Sequence, residues 1–262
     1  MRNFILSLFL TIGLVLLMLF ALQRTMIYPG TSRDASDWSA PPAGYEVVQL
    51  ATEDELRLKA FFRPAREGGK TLIFFHGNGD SARNSASWVD GALGPDDGAL
   101  FVSYRGYAGN PGAPSEEGLK RDARAALRFV RKQGVDDGDI VIGGFSIGTG
   151  VASRLALDGK FAGLILIAAF TSLPDAASAA FPFLPNKLLL RDKFTTKGRI
   201  AKASGKVLLI HGANDGIVPA SHSERLARLR PDATFVRIEG AGHNDIAAGA
   251  LPVMADWLAN LD

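Results

Sequence analysis

The stretch DIVIGGFSIGTG, residues 139–150, changes within a few positions from an apolar run to a group of small residues. Its first part reads as a buried strand, and the residues from Ile147 onward read as a helix. Ser146 stands at the turn between them, with Gly144 and Gly148 two positions away on either side. A sharp strand-to-helix turn strains its central residue and leaves no room for side chains at the flanking positions. The stretch therefore predicts a nucleophilic serine presented at the edge of a sheet, with a flexible glycine-rich turn as the alternative.

Short apolar or β-branched runs recur along the chain, and helical patterns lie between them. The first two runs lie close together and suit antiparallel pairing, whereas the later runs are almost continuously apolar, as strands buried on both faces are. This alternation predicts an α/β fold with a mostly parallel eight-stranded sheet flanked by helices. The predicted strands are 45–50, 56–62, 71–75, 99–103, 139–143, 163–168, 206–210 and 234–238.

Two predicted helices begin with cap signals. Ser115 is followed by Glu116 and Glu117, so acidic side chains stand in the first turn, where the helix dipole favours them. Ser221 and Glu224 have the spacing of a capping box, which predicts that Ser221 caps the next helix from outside.

The composition excludes several classes of function. The chain has 262 residues, is 47% hydrophobic and has a formal net charge of only +2, which suits one globular domain. It contains no basic block interleaved with aromatic residues, so nucleic acid is not an expected partner. It contains no cysteine, which excludes disulfides, thiolate zinc sites and a cysteine nucleophile.

The N-terminal run FILSLFLTIGLVLLMLFAL, residues 4–22, carries no charge. A helix of roughly 20 apolar residues spans a bilayer, so residues 1–24 are predicted to be a single-pass membrane anchor. A cleaved signal peptide is the first alternative, but its apolar region is usually shorter and this run lacks a good cleavage site; a buried core helix is the second. A short N-terminal tail ordinarily stays in the cytoplasm, which predicts an extracytoplasmic catalytic domain.

Two further segments complete the predicted organisation. Residues 25–44 contain glycine and proline and are predicted to be a juxtamembrane linker before a domain at 45–262. Within that domain, 170–205 is too long for a simple crossover and includes three prolines. Long insertions in compact domains are often functional, so this one is predicted to be a small cap over the site, with an ordinary crossover helix as the alternative.

A serine hydroxyl needs an adjacent base, and the base needs an acid that holds its tautomer. His243, in EGAGHND, directly follows the last predicted strand and is the best base among the four histidines. Asp215, in HGANDGIVP, is the only acid in the loop after the preceding strand. Of the other histidines, His76 is predicted to pack beneath its loop and His211 to support a turn. His222 is predicted to be solvated.

The oxyanion of an acyl-transfer reaction needs backbone donors. The amide of Ile147 is one predicted donor, and the amide of Asn78, in the glycine-rich loop HGNG after the third strand, is the other. Tyr107, in YRGYAGNPG, is a candidate for the substrate pocket. The alternative is that this segment, with Tyr104 and Arg105, only braces neighbouring loops.

From residue 45 onward, the chain resembles the α/β-hydrolase superfamily, and more narrowly a subgroup of single-pass membrane-anchored serine hydrolases that includes protein depalmitoylases. The resemblance rests on FFHGNGDSARN, VSYRGYAGNPGAPSEEGL, GGFSIGTGVASRLA, AAFTSLPDAA, LPNKLLLRDKF, LLIHGANDGIVP and EGAGHND, together with LQRTMIYPG after the apolar N-terminus. It implies Ser146 as nucleophile, Asp215 as acid and His243 as base. The glycine after Asn78 stands where the pattern more often has alanine.

These observations predict a membrane-anchored serine hydrolase that cleaves an ester or thioester without a metal or organic cofactor. Its substrate is a small molecule, a lipid or a lipidated protein. Two alternatives remain, a peptidase of the same fold and a catalytically inert membrane-tethered binding module.

Overall fold

The computed structural model describes residues 2–32 and 38–261. All eight predicted strands are present, with boundaries within two residues of the prediction. The strands are β1 (Glu46–Ala51), β2 (Arg57–Arg63), β3 (Thr71–Phe75), β4 (Gly98–Val102), β5 (Ile140–Phe145), β6 (Gly163–Ile167), β7 (Lys206–Gly212) and β8 (Thr234–Ile238). They form one sheet in the order β1-β2-β4-β3-β5-β6-β7-β8. The β1–β2 and β2–β4 pairs are antiparallel and all later pairs are parallel, which confirms the mostly parallel eight-stranded sheet.

Helices cover both faces of this sheet. They are α2 (Ala82–Val89), α3 (Glu116–Lys132), α4 (Ile147–Leu155), α5 (Leu173–Ala180), α6 (Asn186–Leu189), α7 (Ser221–Leu229) and α8 (Ala247–Ala259), preceded by α1 (Arg2–Ile27). Alternate side chains of β3 enter different cores: Ile73 and Phe75 pack on the α3, α4 and α7 side, and Leu72 and Phe74 on the α2 and α8 side. A strand buried on both faces must be apolar at every position, which explains the continuous apolar runs of the sequence.

The helix starts differ in how well the sequence predicted them. Ser115 caps α3 as predicted, because its side chain accepts a hydrogen bond from the amide of Gly118. The capping box at Ser221 and Glu224 is wrong, because the chain is already helical at Ala220 (φ −54°, ψ −26°). Ser221 is therefore the first residue inside α7 and cannot cap it from outside.

The predicted anchor is longer than expected. Helix α1 continues past residue 24 to Ile27, and most of its residues are exposed. Within the described ranges, α1 is the one helix long and apolar enough to cross a membrane, with a mean hydropathy of 2.8 over an 18-residue stretch. The predicted linker, 25–44, thus begins inside the helix, and its residues 33–37 lie outside the described part of the chain.

The parallel strands place four loops at one edge of the sheet. The loops after β3, β5, β7 and β8 all leave from the carboxyl ends of these parallel strands, with β6 between β5 and β7. The insertion predicted at 170–205 follows β6 at the same edge and contains α5 and α6. The predicted catalytic and oxyanion residues lie in these loops or at the start of α4, whereas Tyr107 lies in the loop after β4.

Candidate active site

Ser146 stands at the turn between β5 and α4 with φ 52° and ψ −119°, a conformation that residues other than glycine rarely adopt. A Cβ atom added to Gly144 would lie within 3.0 Å of the backbone of Gly148, and one added to Gly148 would lie within 3.0 Å of the backbone of Phe75 and His76. The two flanking glycines are therefore required by close backbone packing. The tight strand-to-helix turn predicted from the sequence is confirmed.

The three predicted catalytic side chains form a continuous chain of hydrogen bonds. Ser146 Oγ lies 3.0 Å from His243 Nε2, and His243 Nδ1 lies 2.7 Å from Asp215 Oδ2. The carboxylate fixes the proton on Nδ1, which leaves Nε2 able to accept the hydroxyl proton of Ser146. All three residues are buried, although Ser146 and His243 line a cavity. The arrangement can generate an alkoxide nucleophile.

Four donors surround the carboxylate of Asp215. The amides of Ile217 and Val218 donate to Oδ1 at 2.9 and 2.7 Å, and His211 Nε2 lies 3.2 Å from Oδ2, the oxygen that also contacts His243. Burial by itself would raise the pKa of Asp215, but the hydrogen bonds from His211 and His243 outweigh it and hold that pKa well below its usual range. Asp215 therefore stays ionised at neutral pH.

His211 was predicted to support a turn, but it also contacts the carboxylate of Asp215. It is fully buried in β7, its Nδ1 lies 2.7 Å from Ser223 Oγ, and its Nε2 lies 2.8 Å from the carbonyl oxygen of Val218. Because that carbonyl only accepts, Nε2 carries the proton and also faces Asp215. Sequence reasoning missed this support for the acid; the spacing of four residues from His211 to Asp215 was the available signal.

The residues of the two predicted oxyanion donors belong to one cavity wall. Ile147 is the first residue of α4, and both Ile147 and Asn78 line the same cavity as Ser146. Two hydrogen bonds from other segments fix the loop that carries Asn78. The side-chain nitrogen of Asn78 donates to the carbonyl oxygen of Ile27 at 3.2 Å, and the backbone carbonyl of Asn78 accepts from the Tyr107 hydroxyl at 2.9 Å. A loop fixed in this way can present a backbone amide without first reorganising.

The prediction that Tyr107 lines the substrate pocket is wrong. Its side chain is 1% exposed and does not reach the cavity. Its hydroxyl is engaged with the carbonyl of Asn78, and burial raises its pKa, so it remains a proton donor. The alternative holds: Tyr104 donates to the carbonyl oxygen of His76, and Arg105 pairs with Asp122 and Asp54. This segment braces the loop that carries Asn78.

His222 is also not where the sequence suggested. It was predicted to be solvated, but it is 2% exposed and lies in the first turn of α7 against the start of the insertion. Its Nδ1 accepts from the amide of Thr171 at 3.3 Å and lies 3.0 Å from a guanidinium nitrogen of Arg225. Burial, followed by the charge of Arg225, lowers the pKa of His222 to about 4. His76 is fully buried beneath its loop, as predicted.

A cavity of about 730 Å³ opens above Ser146. Most of its wall is apolar, and the insertion contributes about a third of the lining residues, including Leu173, Ala176, Phe181 and Leu184. The insertion thus forms one wall of the cavity beside Ser146, and its role as a cap stays a prediction. Part of the wall, however, comes from α1, which sequence reasoning had assigned only to the membrane. Among residues 2–32 and 38–261, no three His, Asp or Glu side chains group as metal ligands.

Comparison with known families gives a consistent match. A family model described as "Alpha/beta hydrolase family" matches residues 72–199, and one described as "alpha/beta hydrolase fold" matches residues 186–250. The uncharacterized protein Rv2307c of Mycobacterium tuberculosis is 38% identical over 236 residues, which cover 88% of this chain and 84% of that protein. Alpha/beta hydrolase domain-containing protein 17C of Mus musculus is 32% identical over 220 residues, covering 81% of this chain and 68% of that protein.

Solved structures share the fold. An alpha-beta hydrolase from Vibrio vulnificus superposes with a TM-score of 0.73 at 22% identity, covering 91% of this chain and 92% of that one. The esterase RhEst1 from Rhodococcus sp. ECU1013 superposes with a TM-score of 0.64 at 17% identity, covering 82% of this chain and 99% of that one.

Proposed function

The chain belongs to the α/β-hydrolase family, and on that premise we propose that it is a serine hydrolase of carboxylic esters or thioesters. The observation that carries the proposal is the chain of hydrogen bonds from Ser146 through His243 to Asp215 at the floor of an apolar cavity. A catalytically inert binding module would not require a strained serine with a base and an acid aligned behind it. The apolar wall suits the acyl part of the substrate.

In the proposed reaction, Ser146 Oγ attacks the carbonyl carbon and His243 Nε2 takes the hydroxyl proton. The amides of Ile147 and Asn78 donate to the oxyanion of the tetrahedral intermediate. The bond from the carbonyl carbon to the leaving oxygen or sulfur then breaks, and His243 returns the proton to the departing alcohol or thiol. This leaves an acyl group on Ser146.

Water completes the cycle. His243 takes a proton from a water molecule whose oxygen attacks the acyl carbon, and the ester bond to Ser146 breaks. The proton returns to Ser146 Oγ, and a carboxylic acid is released. Asp215 orients the imidazole and stabilises its positive charge in both halves of the reaction. These steps need no metal or organic cofactor.

We also propose that α1 holds the catalytic domain at a membrane as a single-pass anchor. Its length and apolar surface support this assignment. The anchor then ends near Ile27 rather than at residue 24, and the domain begins near Tyr45. The extracytoplasmic placement of the domain remains a prediction from the short N-terminal tail.

A substrate panel tests the proposed function. Full-length protein in detergent should hydrolyse p-nitrophenyl esters and acyl thioesters, and Ser146→Ala and His243→Ala should each abolish turnover. A peptide p-nitroanilide should not be cleaved, because an amide demands stronger protonation of its leaving group. Amide cleavage at a rate equal to ester cleavage would favour the peptidase. Failure to turn over any compound in the panel would favour the binding module.

A further inference from the structure

The last turns of α1 are built into the candidate active site. Gln23, Met26 and Ile27 line the cavity above Ser146, as does Leu19 one turn earlier. The carbonyl oxygen of Ile27 accepts the hydrogen bond from the side chain of Asn78. One end of this apolar helix therefore contacts both the substrate cavity and the loop of the proposed oxyanion donor.

Polar contacts fix α1 to the insertion. Gln23 is buried; its side-chain nitrogen donates to the carbonyl oxygen of Leu189 at 3.1 Å, and its side-chain oxygen accepts from the amide of Arg191 at 2.6 Å. The hydroxyl of Tyr28 donates to Asp192 at 2.7 Å. These contacts fix the orientation of α1 relative to the insertion, and both segments line the cavity.

The surface of the insertion next to α1 is unusually apolar. Phe183 is 99% exposed, Leu188 is 86% exposed and Phe181 is 54% exposed. Phe181 lines the cavity, whereas Phe183 and Leu188 do not. Exposing such side chains to water is unfavourable, and a contiguous apolar surface usually marks a binding surface. Phe181 lines the same cavity as Met26 of α1, whose side chain is also exposed.

Basic residues border this apolar surface. Lys187 and Arg191 are exposed and Lys193 is partly exposed, whereas Arg24 in the last turn of α1 pairs with Asp192. The guanidinium carbon of Arg191 lies 4.2 Å from the ring centroid of Phe20. The only acidic residue of the segment 181–193, Asp192, is buried against Tyr28. Apolar side chains bordered by lysine and arginine match the boundary between acyl chains and anionic headgroups.

We propose that Phe181, Phe183 and Leu188, which we call the insertion tip, enter the same bilayer as α1, so that the cavity opens onto the membrane. Its substrate is then an acyl ester or thioester of a membrane-resident molecule, whose acyl chain enters the cavity directly from the bilayer. The choice of substrate rests on the proposed function, whereas the membrane contact of the insertion tip does not. The wall formed by Gln23, Met26 and Ile27 would contact the entering chain.

The absence of cysteine from the chain provides a direct test of the membrane contact. Phe183→Cys in the full-length protein gives one labelling position for an environment-sensitive dye, and Leu157→Cys gives the control. Leu157 is 36% exposed and follows α4, which runs from the site edge of the sheet to the opposite edge. The protein is reconstituted into vesicles of phosphatidylcholine and phosphatidylglycerol. We expect the emission of the dye to indicate an apolar environment at position 183 and water at position 157.

Emission that indicates water at position 183 would overturn the proposal and indicate that the insertion tip binds a protein partner instead.

Activity measurements test where the substrate comes from. The double variant Phe183→Ser and Leu188→Ser keeps α1 and the cavity wall, so it should hydrolyse water-soluble p-nitrophenyl acetate normally. We expect its turnover of p-nitrophenyl palmitate embedded in the vesicles to fall roughly tenfold, about the partitioning gain of one large apolar side chain. Leu157→Ser should change neither rate. Unchanged palmitate turnover in the double variant would contradict the proposal. By contrast, absence of acetate hydrolysis in the unsubstituted protein would contradict the proposed function, while the dye experiment would still report on the membrane contact.

Discussion

At the scale of single residues, the candidate site depends first on the backbone conformation of Ser146, which places its side chain. Ser146 has a left-handed φ of 52°, and its amide donates to the carbonyl oxygen of Ile167 at 2.9 Å. Such strain persists only where the surrounding structure holds the residue in place. Gly148 is part of that support, because it brings the start of α4 against the end of β3.

Gly148→Ala should therefore destabilise the fold even though alanine is the better helix former. The new methyl group would press on the backbone of Phe75 and His76, which cannot rotate away. We expect a loss of about 2 kcal/mol or more in the free energy of unfolding, as for overpacked cores. Gly138→Ala is the matched control, since an added Cβ there meets nothing within 4 Å. Equal stability of the two variants in chemical denaturation would contradict this interpretation of the turn.

Asp215→Asn should preserve the fold but impair the base. An asparagine amide can donate to His243 Nδ1, which would place the histidine proton on Nε2 and block its role as acceptor. The equivalent change in a serine protease lowers the rate about 10⁴-fold, and we expect a similar order here for kcat of ester hydrolysis. Asp232→Asn, on the exposed surface, should have no effect. A loss of less than about tenfold would reject Asp215 as the triad acid.

At the scale of elements, the insertion determines the size of the cavity. Ala180, at the end of α5, lines the cavity, whereas its neighbour Ala179 does not. Both residues are exposed enough to accept a larger side chain without disturbing the core.

Ala180→Phe should therefore discriminate against long acyl chains. The added ring would occupy part of the cavity, so kcat/KM for p-nitrophenyl palmitate should fall by about tenfold while hydrolysis of the acetate is retained. Ala179→Phe should leave both values unchanged. If the two variants show the same chain-length profile, the cavity is not the acyl site.

His222, which joins α7 to the start of the insertion, should make the free energy of unfolding depend on pH. His222 has a pKa of about 4 in the folded protein against an ordinary 6.5, so the unfolded chain binds the extra proton between these values. The free energy of unfolding should therefore fall as the pH is lowered from 6.5 to 4, by at most about 3 kcal/mol. His222→Gln keeps an acceptor for the amide of Thr171 but does not titrate. Denaturant unfolding at several pH values should show a smaller slope in this variant than in the parent, and identical slopes would contradict the assignment.

At the scale of the whole molecule, the parallel sheet made both the strands and the grouping of the proposed catalytic residues predictable from the sequence. Strands buried on both faces must be apolar throughout, so they stand out in the sequence. Parallel strands place their following loops at one edge, so Ser146, Asp215 and His243 could be grouped from their order along the chain alone.

Contacts between distant elements could not be predicted in this way. Gln23 and Leu189 are separated by 166 residues, and their hydrogen bond depends on the orientation of α1 relative to the domain. His222 follows a helix start that reads as exposed, yet the insertion covers it. Gln23, the first polar residue after the apolar run, was the local sign that α1 contacts protein there.

Covalent labelling tests most directly whether Ser146 is a nucleophile. Full-length protein should react with a fluorophosphonate probe, and mass spectrometry should place the adduct on Ser146. Ser146→Ala should abolish labelling, whereas Ser153→Ala, which removes another buried hydroxyl of α4, should not. Folded protein that fails to label, or that carries the adduct on a different residue, would contradict the assignment of a serine hydrolase.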